Sequence, residues 1–108
     1  MPKTFEPIRR LHHFAWRCRD AEETRAFYED ILGLPLTHVV LADSVPSTGE
    51  NCPYAHLFFD LCDGSSIAFF DLGDDTAAQP SPNTPAWVNH LALKVDSMGA
   101  MERVRQKL

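Results

Sequence analysis

The chain has 108 residues, 44% hydrophobic content and a net charge of −5 at pH 7. That length allows at most one ordinary domain, and the acidic balance argues against nucleic acid or anionic membrane as partner. No apolar run reaches the roughly 20 residues of a membrane-spanning helix, and the three cysteines, Cys18, Cys52 and Cys62, form no C-x-x-C pair. A cytoplasmic protein with reduced thiols is expected, with neither a disulfide framework nor a zinc knuckle.

Residues 1–10 read as an N-terminal tail. Residues 11–18 alternate as a strand, with Leu11, His13, Ala15 and Arg17 on one side and His12, Phe14, Trp16 and Cys18 on the other. The bulkier second set is expected to face a helix. Asp20 is placed to cap that helix and Glu23 completes a capping-box-like start. Thr24, Phe27, Tyr28, Ile31 and Leu32 give it one apolar stripe, and Gly33 and Pro35 end it. Residues 36–42 read as a second strand and Asp43 to Pro53 as a loop. Residues 54–62 and 65–72 read as two further strands, with Asp63-Gly64 as the hairpin signal between them. Residues 11–72 thus form one β-α-β-β-β unit.

Residues 73–86 make an acidic, proline-rich linker. Residues 87–95 then repeat the first strand. His13-Phe-Ala-Trp-Arg-Cys18 and His90-Leu-Ala-Leu-Lys-Val95 share the form His-apolar-Ala-apolar-basic-apolar, 77 residues apart. Residues 97–108 repeat the helix, with Met98, Met101, Val104 and Leu108 on one face. The architecture expected is α+β, two paired β-α-β-β-β modules, the second (87–108) represented here by a strand and a helix only.

The repeat gives His13 and His90 the same parity, each on the face turned away from its helix. Two such faces paired about a pseudo-twofold axis would enclose both histidines, and Ala15 and Ala92 leave room for a ligand. Either histidine alone reads more simply as structural; the repetition, matched parity and small neighbours favour a metal pair. His12 is expected to point to the helix side and pack there. His56 shares its face with Tyr54 and Phe58 and is a candidate acid or base, or a rim histidine. His38 has no pattern behind it. Cys52 and Cys62 read as small hydrophobes. Arg17 and Lys94 are candidates for steering an anion, or are solvated strand ends.

The stretch LHHFAWRCRDAEETRAFYEDILGLPL, residues 11–36, resembles the opening of vicinal oxygen chelate proteins. That superfamily includes glyoxalase I, bleomycin-resistance proteins, methylmalonyl-CoA epimerase and extradiol dioxygenases, and the resemblance spans residues 11–108. It implies sheets wrapped around a divalent metal, with His13 and His90 as ligands. In glyoxalase-like members a glutamate on the last strand of the first module is a further ligand. The matching position in SSIAFFDL (65–72) is Ala68, which cannot bind metal; Asp71 has the opposite parity and would need a bulge to reach the site. The resemblance leaves two histidines and a glutamate expected from a last strand of the second module. Two histidines and one carboxylate with open positions suit non-haem Fe(II) oxygenases.

The function expected is therefore a metal-dependent enzyme acting on a small molecule, most like an extradiol ring-cleaving dioxygenase. Fe(II) is favoured, with Mn, Ni, Zn or Co as other candidates, and His56 as acid or base. The alternatives are a glyoxalase-like lyase or epimerase and a metal-free drug-binding protein of the bleomycin-resistance type. The unfinished second unit leaves strand edges to cover, and a homodimer is expected.

Overall fold

The computed structural model describes residues 4–108. One four-stranded sheet organises the first two-thirds of the chain. Strand β1 (His13–Cys18) leads into helix α1 (Ala21–Arg25), which runs on as a π-helical segment over Ala26–Ile31. Strands β2 (Leu36–Ser44), β3 (Asn51–Asp60) and β4 (Ser66–Asp71) follow, and α2 (Met98–Lys107) closes the described chain. The sheet order is β1-β4-β3-β2. β1 runs parallel to β4 and the other neighbours are antiparallel. This is the β-α-β-β-β topology and the α+β class read from the sequence.

The local signals act as expected at the helix. The Asp20 side chain accepts a hydrogen bond from the Glu23 N–H at 2.9 Å, offsetting one of the orphan donors of the first turn. Arg25 pairs with Glu22, Glu29 and Asp30 along the exposed side. Gly33 takes the left-handed conformation (φ +78°) that ends the segment. Ser97 caps α2 in the same way as Asp20 caps α1, accepting from the Ala100 N–H at 3.0 Å.

The helix packs on the face made by Trp16, Cys18, Leu57, Phe59, Ile67 and Phe69. Phe59 and Ile67 are the largest fully buried side chains, and Tyr28 from the π segment lies 4.9 Å from Phe69 and 5.6 Å from Phe59, ring to ring. Burial of this one apolar face is the main force holding the unit together.

Two boundaries differ from the sequence reading. β3 begins at Asn51, so Pro53 lies inside a strand rather than a loop. The register between β2 and β3 shifts between Ala42 and Ser44, and pairing with β4 begins only at Ala55, so Pro53 leaves no ladder donor missing. The repeat strand expected over 87–95 is not hydrogen-bonded into any sheet in the described chain. Its residues are exposed throughout, because no partner strand lies beside them.

A histidine-bearing face with an aromatic floor

Strand alternation puts His13, Ala15 and Arg17 of β1 on the side of the sheet that no helix among the described residues covers. The register extends this face: His13 pairs with Ser66, Ala15 with Ala68 and Arg17 with Phe70. On β3 the same rows continue as Asp60, Phe58 and His56, and on β2 His38 lies opposite Phe58 and Val40 opposite His56. Ala68 is fully buried at the centre of the sheet. A methyl group there leaves space between the two outer rows, and the His13 and His56 rings approach to 6.0 Å, centroid to centroid.

An aromatic floor surrounds this pair. Phe58 lies 5.1 Å from His13 and 4.3 Å from His56. Phe70 stacks on His56 at 3.7 Å with planes 17° apart, and Tyr54 follows at 5.4 Å from Phe70. The Nε2 atom of His56 is buried and has no hydrogen-bond partner among the described residues. Burial pushes the His56 imidazole below its usual 6.5, and the neighbouring His13 and His38 push in the same direction. His56 is thus held neutral with a free ring nitrogen. His38, which no sequence pattern marked, is on this face as well, 5.5 Å from Phe58.

His12 departs from expectation. Regular pairing starts only at His13, so the alternation rule does not reach back to residue 12. The His12 ring is exposed rather than packed beside the helix, and its Nδ1 lies 2.8 Å from His13 Nδ1.

The remaining candidates are placed as follows. Asp71 does not turn toward His13. β4 pairs without a bulge on either side, and Asp71 accepts from the Ala21 N–H at 2.8 Å and from the Gly73 N–H at 2.8 Å, tying the helix start to the sheet. Arg17 does not stand free for an anion: it is ion-paired with Asp74 and donates to the Thr76 carbonyl at 2.9 Å. That guanidinium holds the Asp74 carboxyl below the usual carboxylate range. Arg19 likewise pairs with Asp75 and Glu23, so both arginines fasten the start of the linker to the end of β1. His90 lies outside the sheet, its Nδ1 3.1 Å from the carbonyl of Val88. Cys18, Cys52 and Cys62 are free thiols, and burial pushes Cys18 up.

Sequence reading missed one carboxylate on this face. Asp60 Oδ1 accepts from Thr37 Oγ1 at 2.9 Å and from Ser66 Oγ at 2.8 Å, joining β2, β3 and β4 at the His13 end. Its parity with His56 and Phe58 was the signal available. Its two hydroxyl donors give it a structural task.

Imidazole nitrogens suit Fe, Zn, Ni or Co, so the donor type on this face fits a divalent first-row cation. Among the described residues no three His, Cys, Asp or Glu side chains come together as a metal-holding group. His13 alone offers a partial site, which other donors would have to complete. An open hollow of about 700 Å³ continues past Tyr54 at the opposite end, between Ala42, Pro53 and Gly73. No helix among the described residues is long and apolar enough to cross a membrane.

The family described as the Glyoxalase/Bleomycin resistance protein/Dioxygenase superfamily matches residues 10–108. No curated protein matches the chain.

Proposed function

Because the chain belongs to the Glyoxalase/Bleomycin resistance protein/Dioxygenase superfamily, we propose that it is a metal-dependent enzyme acting on a small molecule held against the His13 face. Extradiol ring cleavage of a catechol is the reaction we favour. His13 and His90 are its proposed protein ligands, joined by a carboxylate. His90 reaches His13 when a second copy of the chain adds its 87–95 segment along the free outer edge of β1, which leaves the His13 face open to substrate, so the proposed working form is a homodimer.

One observation carries this reading. The small, buried Ala68 occupies the position, on the same face as His13, where glyoxalase-like relatives place a carboxylate ligand. Loss of that ligand leaves more open positions for substrate and O₂. A bound Fe(II) would supply Lewis acidity and a meeting point for the two vicinal oxygens and O₂. The chain's own residues do the rest. Phe58 and Phe70 offer a flat apolar surface to an aromatic ring. His56, neutral, is the proposed group that takes the proton from a substrate hydroxyl and returns it.

Metal analysis of protein prepared without oxygen tests the ligands. Iron is expected in the unsubstituted chain and lost from His13→Ala and from His90→Ala; unchanged iron in either variant ends this assignment. An oxygen electrode with a catechol panel tests the reaction. Metal retention without O₂ uptake would favour a lyase or epimerase using Ni, Zn, Mn or Co. The His56 ring stacked on Phe70, with Phe58 tilted beside it, also suits a metal-free drug-binding pocket of the bleomycin-resistance kind. Tight binding of planar ligands by protein with no metal would establish that alternative.

A further inference from the structure

Two histidines stand side by side at the entry to β1. Their Nδ1 atoms lie 2.8 Å apart, and the rings meet edge to face at 5.1 Å and 75°. Consecutive strand residues ordinarily point to opposite faces. His12 stands one residue before the first register pair, and its backbone carbonyl accepts the first ladder bond from the Ser66 N–H at 3.0 Å. The His12 ring is therefore set against His13 by an anchored backbone.

Two imidazole nitrogens at this distance form a hydrogen bond in which one carries the proton and the other presents its lone pair. The bond occupies Nδ1 of His13 and leaves Nε2 as the ring's free nitrogen. If His12 accepts, His13 carries its proton on Nδ1 and Nε2 bears a lone pair. If His12 donates, the His13 proton sits on Nε2 and that atom cannot act as a ligand. We propose that His12 is a positioning residue that accepts from His13 Nδ1–H and so fixes the tautomer and ring orientation that expose the Nε2 lone pair. This rests on the reading of His13 as a metal ligand, and gives that ligand the hydrogen-bonded partner on its far nitrogen that metal-binding histidines generally need. Here the partner is a second imidazole instead of the more usual carboxylate or backbone carbonyl.

Imidazole ¹H–¹⁵N correlation spectra of the full chain, recorded at a pH where free imidazoles are neutral, read the tautomer directly. His13 is expected as the Nδ1–H form in the unsubstituted protein. His12→Ala should shift it toward Nε2–H, and His12→Asn, whose side-chain oxygen can accept near the same place, should restore it. His12 is exposed, so neither change opens the core. Titration with Co²⁺ alone should show affinity about 10-fold weaker in His12→Ala and near the original in His12→Asn. An Nε2–H His13 in the unsubstituted chain, a tautomer unmoved by His12→Ala, or no restoration by Asn would each overturn the proposal. Failure of the metal reading looks different: no Co²⁺ uptake by any form, with a tautomer that still follows residue 12.

Discussion

A buried ring nitrogen without a hydrogen-bond partner costs the fold on the order of 1 kcal/mol or more, and His56 carries one at the centre of the candidate site. His56→Phe keeps the stack on Phe70 and removes the unpartnered atom. The variant is expected to be as stable as the parent at pH 7.5 or about 1 kcal/mol more stable, while losing the proposed proton transfer. The pH dependence follows from the same burial. His56 is depressed below 6.5 in the fold, so below that pH the unfolded chain binds its proton more readily than the folded one. Its effect on stability is absent well above 6.5. It grows as a loss when the pH falls from 6.5 toward the depressed value. Urea unfolding at pH 7.5 and 5.5 should show a smaller acid loss in His56→Phe than in the parent; equal losses would show that His56 does not set this slope. Of the residues on this face, His13 and His56 were legible because period-2 alternation assigns a side without any tertiary knowledge. His12 was not, because its side depends on where ladder pairing starts. The occupation of Arg17 by Asp74 was hidden for a related reason: the two residues meet only after β4 returns parallel to β1.

At the scale of elements, the sheet divides adjacent residues of β3 between two environments. Phe59 is fully buried under Tyr28, whereas Phe58 lies on the uncovered face beside His13. Phe59→Ala is expected to destabilise the chain by about 3–5 kcal/mol, the usual range for an emptied aromatic core site. Phe58→Ala should cost clearly less, because its site is open and water can fill the gap. Denaturant midpoints of the two variants compare them directly, and a loss at Phe58 matching that at Phe59 would mean that the face is covered in solution. The elements most legible in the sequence were those with local causes: the capped helix, the strand after Pro35 and the hairpin around Gly64. The π-helical segment was not among them. Its Tyr28 packs on Phe59 and Phe69 while Phe27 stays 39% exposed, a choice made by the sheet surface beneath rather than by the helical stripe. The 87–95 segment differs for the opposite reason: it forms no strand among the described residues. Its alternation is a property of the sequence, but a strand exists only when another supplies the ladder.

The whole molecule has a radius of gyration of 16.8 Å, against about 13 Å for a compact chain of this length. The excess comes with a run of uncovered apolar side chains beyond the linker. Trp87 is 80% exposed, and Val88, Leu91, Leu93, Val95, Met98 and Met101 are all open to solvent. So many large apolar groups in one segment make an association surface rather than scattered surface residues. Among the described residues the outer edge of β1 is free too, since β1 pairs there with β4 alone. In the proposed homodimer a second copy would offer what each lacks: an edge for the 87–95 segment and an apolar layer for α2. The linker start, held to β1 by Arg17–Asp74 and Arg19–Asp75, gives that exchange a fixed point of departure. Sedimentation of the 108-residue chain should therefore give a species of twice 12.2 kDa. In that species, backbone amides across 88–95 should exchange slowly with solvent and lose that protection together on dilution. Leu91→Ser with Leu93→Ser should shift the equilibrium to monomer and, with it, abolish retained iron even though His13 and His90 are untouched. A monomer at every concentration with freely exchanging amides in 88–95 would remove the proposed route by which His90 meets His13.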